Sequence, residues 1–130
     1  MAGAAAERDF TRHQVVVFDW DGTIADSVAQ VVQAIRKSAE SLGLTPPEAD
    51  AIRPLVGLGM SEILQRIVRD FPAVRHAEFL DAYRRHYFGC RQRTDIPFEG
   101  IETLLQALSA AGRRLAVATG KSCAGLERAL

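Results

Sequence analysis

Asp19 and Asp21 stand i, i+2 directly after the apolar run Val15-Val16-Val17-Phe18, and Gly22-Thr23 follows them. Two acids held together in this way point to a bound cation and acid/base chemistry more than to structure. The apolar run reads as a strand buried on both faces. Its carboxylates then lie at the C-terminal end, where open α/β sheets place their ligands. Side chains alternate along a strand, so Asp19 and Asp21 are expected on one side and Trp20 on the other.

The elements that must hold this pair can be traced along the rest of the chain. Ser27 and Gln30 have capping-box spacing. Val28, Val31, Val32, Ile35, Ala39 and Leu42 then follow helical periodicity up to Gly43 and Pro46-Pro47. A short helix is expected around Glu48 to Ile52, stopping before Pro54. After Gly57-Leu58-Gly59, the residues Ile63, Leu64, Ile67, Val68 and Phe71 make another helical stripe, closed by Pro72. Phe79, Leu80, Tyr83 and Tyr87 mark a further helix, so residues 27–93 read as all-helical. The pattern changes at Asp95-Ile96-Pro97-Phe98-Glu99-Gly100. An amphipathic helix through Ile101, Leu104, Leu105 and Leu108 ends at Ala111-Gly112. Leu115 to Ala118 forms a second buried strand, ending in Thr119-Gly120, and a helix begins after Lys121.

The 130 residues suit one ordinary domain, and a hydrophobic share of 48% with 25% charged residues is that of a soluble globular protein. Sixteen basic residues balance the acidic ones, which argues against general attraction to nucleic acid or an anionic membrane. No apolar stretch approaches the roughly 20 residues that span a bilayer. The Ala-rich start lacks the basic and apolar regions of a signal peptide, so residues 1–13 read as a disordered lead-in. Cys90 and Cys123, far apart and without CxxC spacing, read as free thiols in a reducing cytoplasm.

The fold expected is α/β: part of a Rossmann-like parallel sheet, from residues 14–25 and 95–130, with an inserted α-helical cap at 26–94. Two buried strands cannot make a protected sheet alone. The chain is therefore expected to be part of a longer protein, and the unpaired sheet offers a surface for self-association.

The stretch Phe18-Asp19-Trp20-Asp21-Gly22-Thr23, with Ala25-Asp26-Ser27 after it, closely resembles the first motif of the haloacid dehalogenase-like hydrolase superfamily. Pro97-Phe98-Glu99-Gly100 before a helix, then Leu115 to Lys121, resembles its second-motif region, and the helical insert matches the cap of its phosphoglycolate phosphatase-like branch. The resemblance implies a Mg²⁺-dependent phosphatase acting on a small phosphorylated metabolite. Asp19 would be the nucleophile that forms an aspartyl-phosphate, and Asp21 the general acid and base. Mg²⁺ would be held by Asp19 and by the backbone carbonyl of Asp21. Trp20, Gly22, Thr23, Thr119, Gly120 and Lys121 would line the phosphate. The family's third-motif lysine and fourth-motif acidic pair would lie beyond Leu130, so the chain as given is expected to turn over poorly.

Other readings stand beside these. Asp-Gly is a hairpin signal, but the periodicity after Thr23 is helical. A receiver domain also phosphorylates a strand-end Asp, but the long helical insert argues against one. A phosphosugar mutase of the same superfamily differs only in keeping the phosphoryl group. A non-catalytic fragment that pairs with another chain is the reading from a different class. Lys121 sits at a helix start, where its charge is disfavoured, and this points either to an anion or to a solvated side chain. Arg84, Arg85, Arg91 and Arg93 form a solvated face or hold a substrate carboxylate. Gly57 to Gly59 is either a cap loop facing the site or a plain interhelix turn. His13, His76 and His86 show no ligand spacing.

Overall fold

A computed structural model of the chain describes residues 13–68, 71–89 and 95–130. The lead-in at 1–12, Cys90, Arg91, Arg93 and the end of the cap at 90–94 lie outside the described residues. Strand β1 (Val15–Phe18) is followed by helices α1 (Val28–Ser41), α2 (Ala49–Ile52), α3 (Met60–Ile67) and α4 (His76–Phe88). Then come α5 (Ile101–Ala110), β2 (Arg114–Val117) and α6 (Cys123–Ala129). Among the described residues the sheet has two strands. β1 and β2 pair in parallel, with Val15 opposite Arg114 and Phe18 opposite Val117.

Two apolar clusters divide the molecule. The larger lies wholly in α1 to α4, around Ile35, Ile52, Ile63, Leu64 and Phe79, with α1 packed along α4. Phe71 lies past the end of α3, which stops at Ile67, yet its ring still packs edge-on to Phe79 at 5.8 Å. The smaller cluster gathers Trp20, Ile24, Ala25 and Ala129, with Phe18, Ile101 and Leu126 against it.

The chain leaves the sheet for the helical lobe and returns along one paired ribbon. The Asp26 N–H donates to the Ile96 carbonyl at 2.7 Å, and the Phe98 N–H donates to the Ile24 carbonyl at 3.0 Å. Ala25 and Pro97 face each other antiparallel between them.

Two local expectations are corrected. The strands are not buried on both faces: Val17 is 60% exposed, and Val15, Leu115 and Val117 also face outward. A two-stranded sheet has no neighbours to cover it, and α5, with no buried residue, packs only loosely beside β2. No capping box forms at Ser27, whose hydroxyl bonds to Asp21 instead of to the helix backbone. The short helix α2 ends at Ile52, before Pro54, as expected. A 3₁₀ turn, Arg53–Leu55, follows it, where the missing N–H of Pro54 costs nothing at a first-turn position.

Candidate active site

The turn after β1 is closed by its own backbone. The Trp20 carbonyl accepts N–H bonds from Thr23, Ile24 and Ala25 at 3.0 to 3.2 Å, and the Gly22 N–H donates to the Ala25 carbonyl at 2.8 Å. Gly22 has φ +79°, a conformation that L side chains rarely adopt, and a Cβ there would lie 3.1 Å from the Val28 side chain. The Asp-Gly-Thr sequence thus makes a compact loop in place of a hairpin, and it sets the two acids in different surroundings. Asp19 is exposed, and its Oδ1 accepts the Trp20 N–H at 2.8 Å. Among the described residues it has no cationic partner. The Asp21 side chain is 8% exposed; its Oδ1 accepts the Ser27 hydroxyl at 2.5 Å and faces Lys121 Nζ at 3.2 Å.

β2 delivers the second set of groups. Parallel pairing continues one residue past the strands, where the Ala118 N–H donates to the Phe18 carbonyl at 2.8 Å. Thr119, Gly120 and Lys121 therefore emerge beside the Asp19 turn. Thr119 Oγ1 accepts the Lys121 N–H at 3.1 Å, which leaves the hydroxyl hydrogen to be donated elsewhere. Ser122 caps α6 by accepting the Gly125 N–H at 3.1 Å.

Lys121 is neither solvated nor aimed at an empty anion site. Its Nζ lies 3.2 Å from Asp21, 3.6 Å from Asp95 Oδ2 and 3.4 Å from the Tyr87 hydroxyl, with the ammonium over the Tyr87 ring. Asp95 is 3% exposed. It accepts the Trp20 indole N–H on Oδ2 at 2.7 Å and the Tyr87 hydroxyl on Oδ1. Burial, first of all, pushes the Tyr87 phenol well above its ordinary value, and the bond to Asp95 and the nearby carboxylates add to the shift. Burial does the same at Tyr83, helped by the charges of Asp21 and Asp95.

The Gly57-Leu58-Gly59 segment settles over this floor. A Cβ on Gly57 would lie 3.7 Å from Asp19 Oδ2, and one on Gly120 would lie 2.5 Å from the Gly57 carbonyl. It is a loop facing the site, not a remote interhelix turn. Between loop, α4 and α6 lies a cavity of about 620 Å³ whose wall includes Asp21, Leu58, Tyr83, Phe88 and Lys121.

The structure thus brings Asp19, Asp21, Thr119, Gly120 and Lys121 to one end of the sheet. Gly22 shapes the turn, and Thr23 is exposed beside it. The Trp20 ring points away from the cavity into the smaller core. Arg84 reaches the cavity rim but pairs with Asp81 at 3.2 Å. Asp95 and the polar tip of Tyr87 were not legible as site residues. Asp95 is 75 residues from Trp20 in sequence, and no spacing ties it to the motif. Among the described residues no three or more His, Cys, Asp or Glu side chains cluster as a metal site, and no helix is long and apolar enough to cross a membrane.

Comparisons with known proteins agree with this geometry. The chain is 38% identical over 109 residues to the tyrosine-protein kinase PtkA of Mycobacterium tuberculosis, covering 84% of this chain and 36% of that protein. It is 30% identical over 108 residues to a phosphoglycolate phosphatase of Aquifex aeolicus, covering 83% of this chain and 49% of the relative. A phosphoglycolate phosphatase of Agrobacterium fabrum is 34% identical over 116 residues, with 83% and 48% covered. The chain spans about half the length of these phosphatases and about a third of PtkA. Among solved structures, a hydrolase from Pseudomonas syringae superposes with a TM-score of 0.81 at 20% identity, covering 90% of this chain and 54% of that one. A haloacid dehalogenase-like family hydrolase from Streptococcus pneumoniae gives 0.72 at 24% identity, with 90% and 54% covered. These likenesses place the fold. The family model for haloacid dehalogenase-like hydrolases matches residues 16–130, from within β1 through the Lys121 loop to the last residue. With the two acids, the Thr119–Lys121 loop and the Gly57–Gly59 loop converging within that match, the chain belongs to the haloacid dehalogenase-like hydrolase family.

Proposed function

We propose that the protein of which this sequence is the functional unit, or a part, is a phosphatase. It would hydrolyse a small phosphorylated metabolite of the phosphoglycolate kind through an aspartyl-phosphate on Asp19. In this reading residues 14–25 and 95–130 are the catalytic core and 26–94 the cap. The observation that carries it is the unequal setting of the two acids: Asp19 is exposed and has no cationic partner among the described residues, while Asp21 is sheltered against Lys121 and Ser27. The likeness to two proteins named phosphoglycolate phosphatase supports the substrate class.

An Asp19 oxygen attacks phosphorus, the bond from phosphorus to the ester oxygen breaks, and that oxygen takes a proton from the Asp21 carboxyl. Water then attacks the phosphorus of the aspartyl-phosphate and gives its proton to Asp21, and Asp19 is released with inorganic phosphate. The Thr119 hydroxyl and the backbone N–H groups of the two loops donate to the phosphoryl oxygens, where positioning and charge do most of the work. The cavity walls, closed by the Gly57–Gly59 loop, keep bulk water from the first step.

The donors fit a hard cation in part. The Asp19 carboxylate lacks a cationic partner, and the Asp21 carbonyl accepts no backbone N–H among the described residues. These two hard oxygens would hold Mg²⁺, which when bound supplies positive charge against the repulsion between nucleophile and phosphate.

Phosphate release from phosphoglycolate and p-nitrophenyl phosphate tests the reading. It should require Mg²⁺ and fall by more than about 10²-fold in Asp19→Asn, because the nucleophile is lost. Release that survives this substitution would exclude the aspartyl-phosphate route. The identity to PtkA supports a second reading, in which the phosphoryl group passes to a tyrosine hydroxyl instead of to water. The same assay with ATP and a tyrosine peptide separates them: phosphopeptide without free phosphate favours transfer.

A further inference from the structure

We infer that Asp95, together with Tyr87, is a positioning residue that sets Lys121 against Asp21 and so makes the setting of the acid/base group depend on how the cap is seated. The importance of Asp21 rests on the function proposed above; the geometric coupling does not.

Four elements meet at Asp95. Trp20 comes from the turn after β1, Tyr87 from the last turn of α4, Lys121 from the loop after β2, and Asp95 itself from the irregular segment returning out of the helical lobe. A carboxylate at 3% exposure is costly unless its oxygens are all engaged. Here Oδ2 takes the indole N–H and faces the ammonium, and Oδ1 takes the phenol. Lys121 is in turn held by three groups of two lobes: Asp21 and Asp95 beside the sheet, and the Tyr87 hydroxyl and ring from the helical lobe. Tyr87 is the piece that connects them, since it donates to Asp95 and accepts from Lys121 at once. If α4 withdraws, Asp95 loses one of its two neutral donors and Lys121 loses its roof. The ammonium is then free to leave Asp21 for solvent. Nothing in the motif chemistry demands this arrangement; it arises because the returning segment at Asp95 and the last turn of α4 converge on the site.

The sequence supplies its own probe. Lys37 and Lys121 are the two lysines, and Lys37 is exposed on α1. Brief acetylation under native conditions, read by peptide mass spectrometry, gives the accessibility of Lys121 with Lys37 as internal reference. In the wild-type chain Lys121 should react at least about tenfold more slowly than Lys37, because its side chain is 10% exposed and ion-paired. Asp95→Asn and Tyr87→Phe should each speed Lys121 by about three- to tenfold, the size of losing one charge-assisted bond, with Lys37 unchanged. Ile52→Val, a core truncation in α2 that removes none of the groups holding Lys121, is the control for simple loss of stability and should leave Lys121 slow. Trp20, the one tryptophan, gives a second reading: its emission should change in Asp95→Asn and not in Ile52→Val.

Lys121 unmoved in both network variants would overturn the inference, as would equal acceleration in Ile52→Val. Because none of these readouts needs turnover, faster Lys121 labelling in the two network variants of an intact protein without phosphatase activity would refute the proposed function and leave the coupling intact.

Discussion

Gly120→Ala asks whether the Gly57–Gly59 loop really rests on the floor of the site. A Cβ on Gly120 would lie 2.5 Å from the Gly57 carbonyl oxygen and 2.7 Å from both the carbonyl carbon and the oxygen of Leu58. Non-bonded heavy atoms prefer about 3.5–4.0 Å, so the loop has to withdraw by roughly 1 Å. All three clashing atoms are backbone, and no rotamer change can relieve them. Overpacking of this kind costs about 1–3 kcal/mol. Gly120 has no positive φ, so alanine is otherwise tolerated and gains back about 0.4–1 kcal/mol from the unfolded chain. The net expectation is a loss of about 0.5–2 kcal/mol. With a urea m-value of about 1–3 kcal/mol/M, the unfolding midpoint should fall by roughly 0.2–2 M, followed by Trp20 emission. Gly59→Ala is the matched control: a Cβ there meets nothing within 4 Å, and the backbone is at φ −64°, ψ 145°. Gly59 is the N-cap of α3, where Ala is less favoured than Gly, and this offsets the entropy that Ala removes from the unfolded chain, so the variant should be close to neutral. If the two variants unfold at the same urea concentration, the loop does not sit on Gly120, and the roof over Asp19 is not a feature of the folded chain.

Phe79→Ala should cost about 3–5 kcal/mol by thermal or urea unfolding, since the ring is fully buried between α1 and α3 and its removal leaves a cavity. Ser122→Ala should cost about 1 kcal/mol, because the Ser122 side chain supplies the acceptor for the first turn of α6. The two tyrosines, Tyr83 and Tyr87, both have phenols raised above the ordinary 10.0. Their neutral forms are favoured in the folded chain. The stability they contribute is therefore complete below pH 10.0 and lost as pH rises through the folded values. Tyrosinate absorbance should consequently appear together with unfolding in an alkaline titration; smooth ionisation of a still-folded chain would contradict the buried network.

Local periodicity carried most of the architecture. The stripe from Val28 to Ala39 and the run Val15 to Phe18 each specify one element, because their side chains must find a common face. Burial of the strands was misjudged for a definite reason: an apolar run records what a strand is suited to touch, not what this chain supplies to touch it. Ser27 shows a similar limit. Its spacing to Gln30 satisfies a helix-capping pattern, but its backbone, at φ −114° and ψ −6°, is not the extended conformation of a cap, so Oγ accepts no helix N–H and the hydroxyl donates across the turn to Asp21. The acids, Thr119 and Lys121 were legible because they sit at the ends of apolar runs. Asp95 was not, because a single acid before Ile-Pro-Phe has no partner within reach of local pattern, and its burial is made by Trp20, Tyr87 and Lys121 from distant stretches. The periodicity of α4 puts the Tyr87 ring on its inward stripe, where the structure has it, and says nothing of the hydroxyl.

The paired ribbon at Ile24–Asp26 and Ile96–Phe98 has a consequence for how such a protein can be altered. The two chain passages are already joined by backbone hydrogen bonds, so the ends of the helical lobe are one strand spacing apart, about 4.8 Å. A polypeptide of any length whose termini meet at that distance fits the same opening, and the sheet beneath need not register the exchange. The opening works as a socket. A two-residue Asn-Gly turn could close it, or another helical bundle could be spliced into it, with Asp19 and Thr119 left in place. Whatever is fitted there would have to bring its own hydroxyl for Asp95 and its own roof for Lys121.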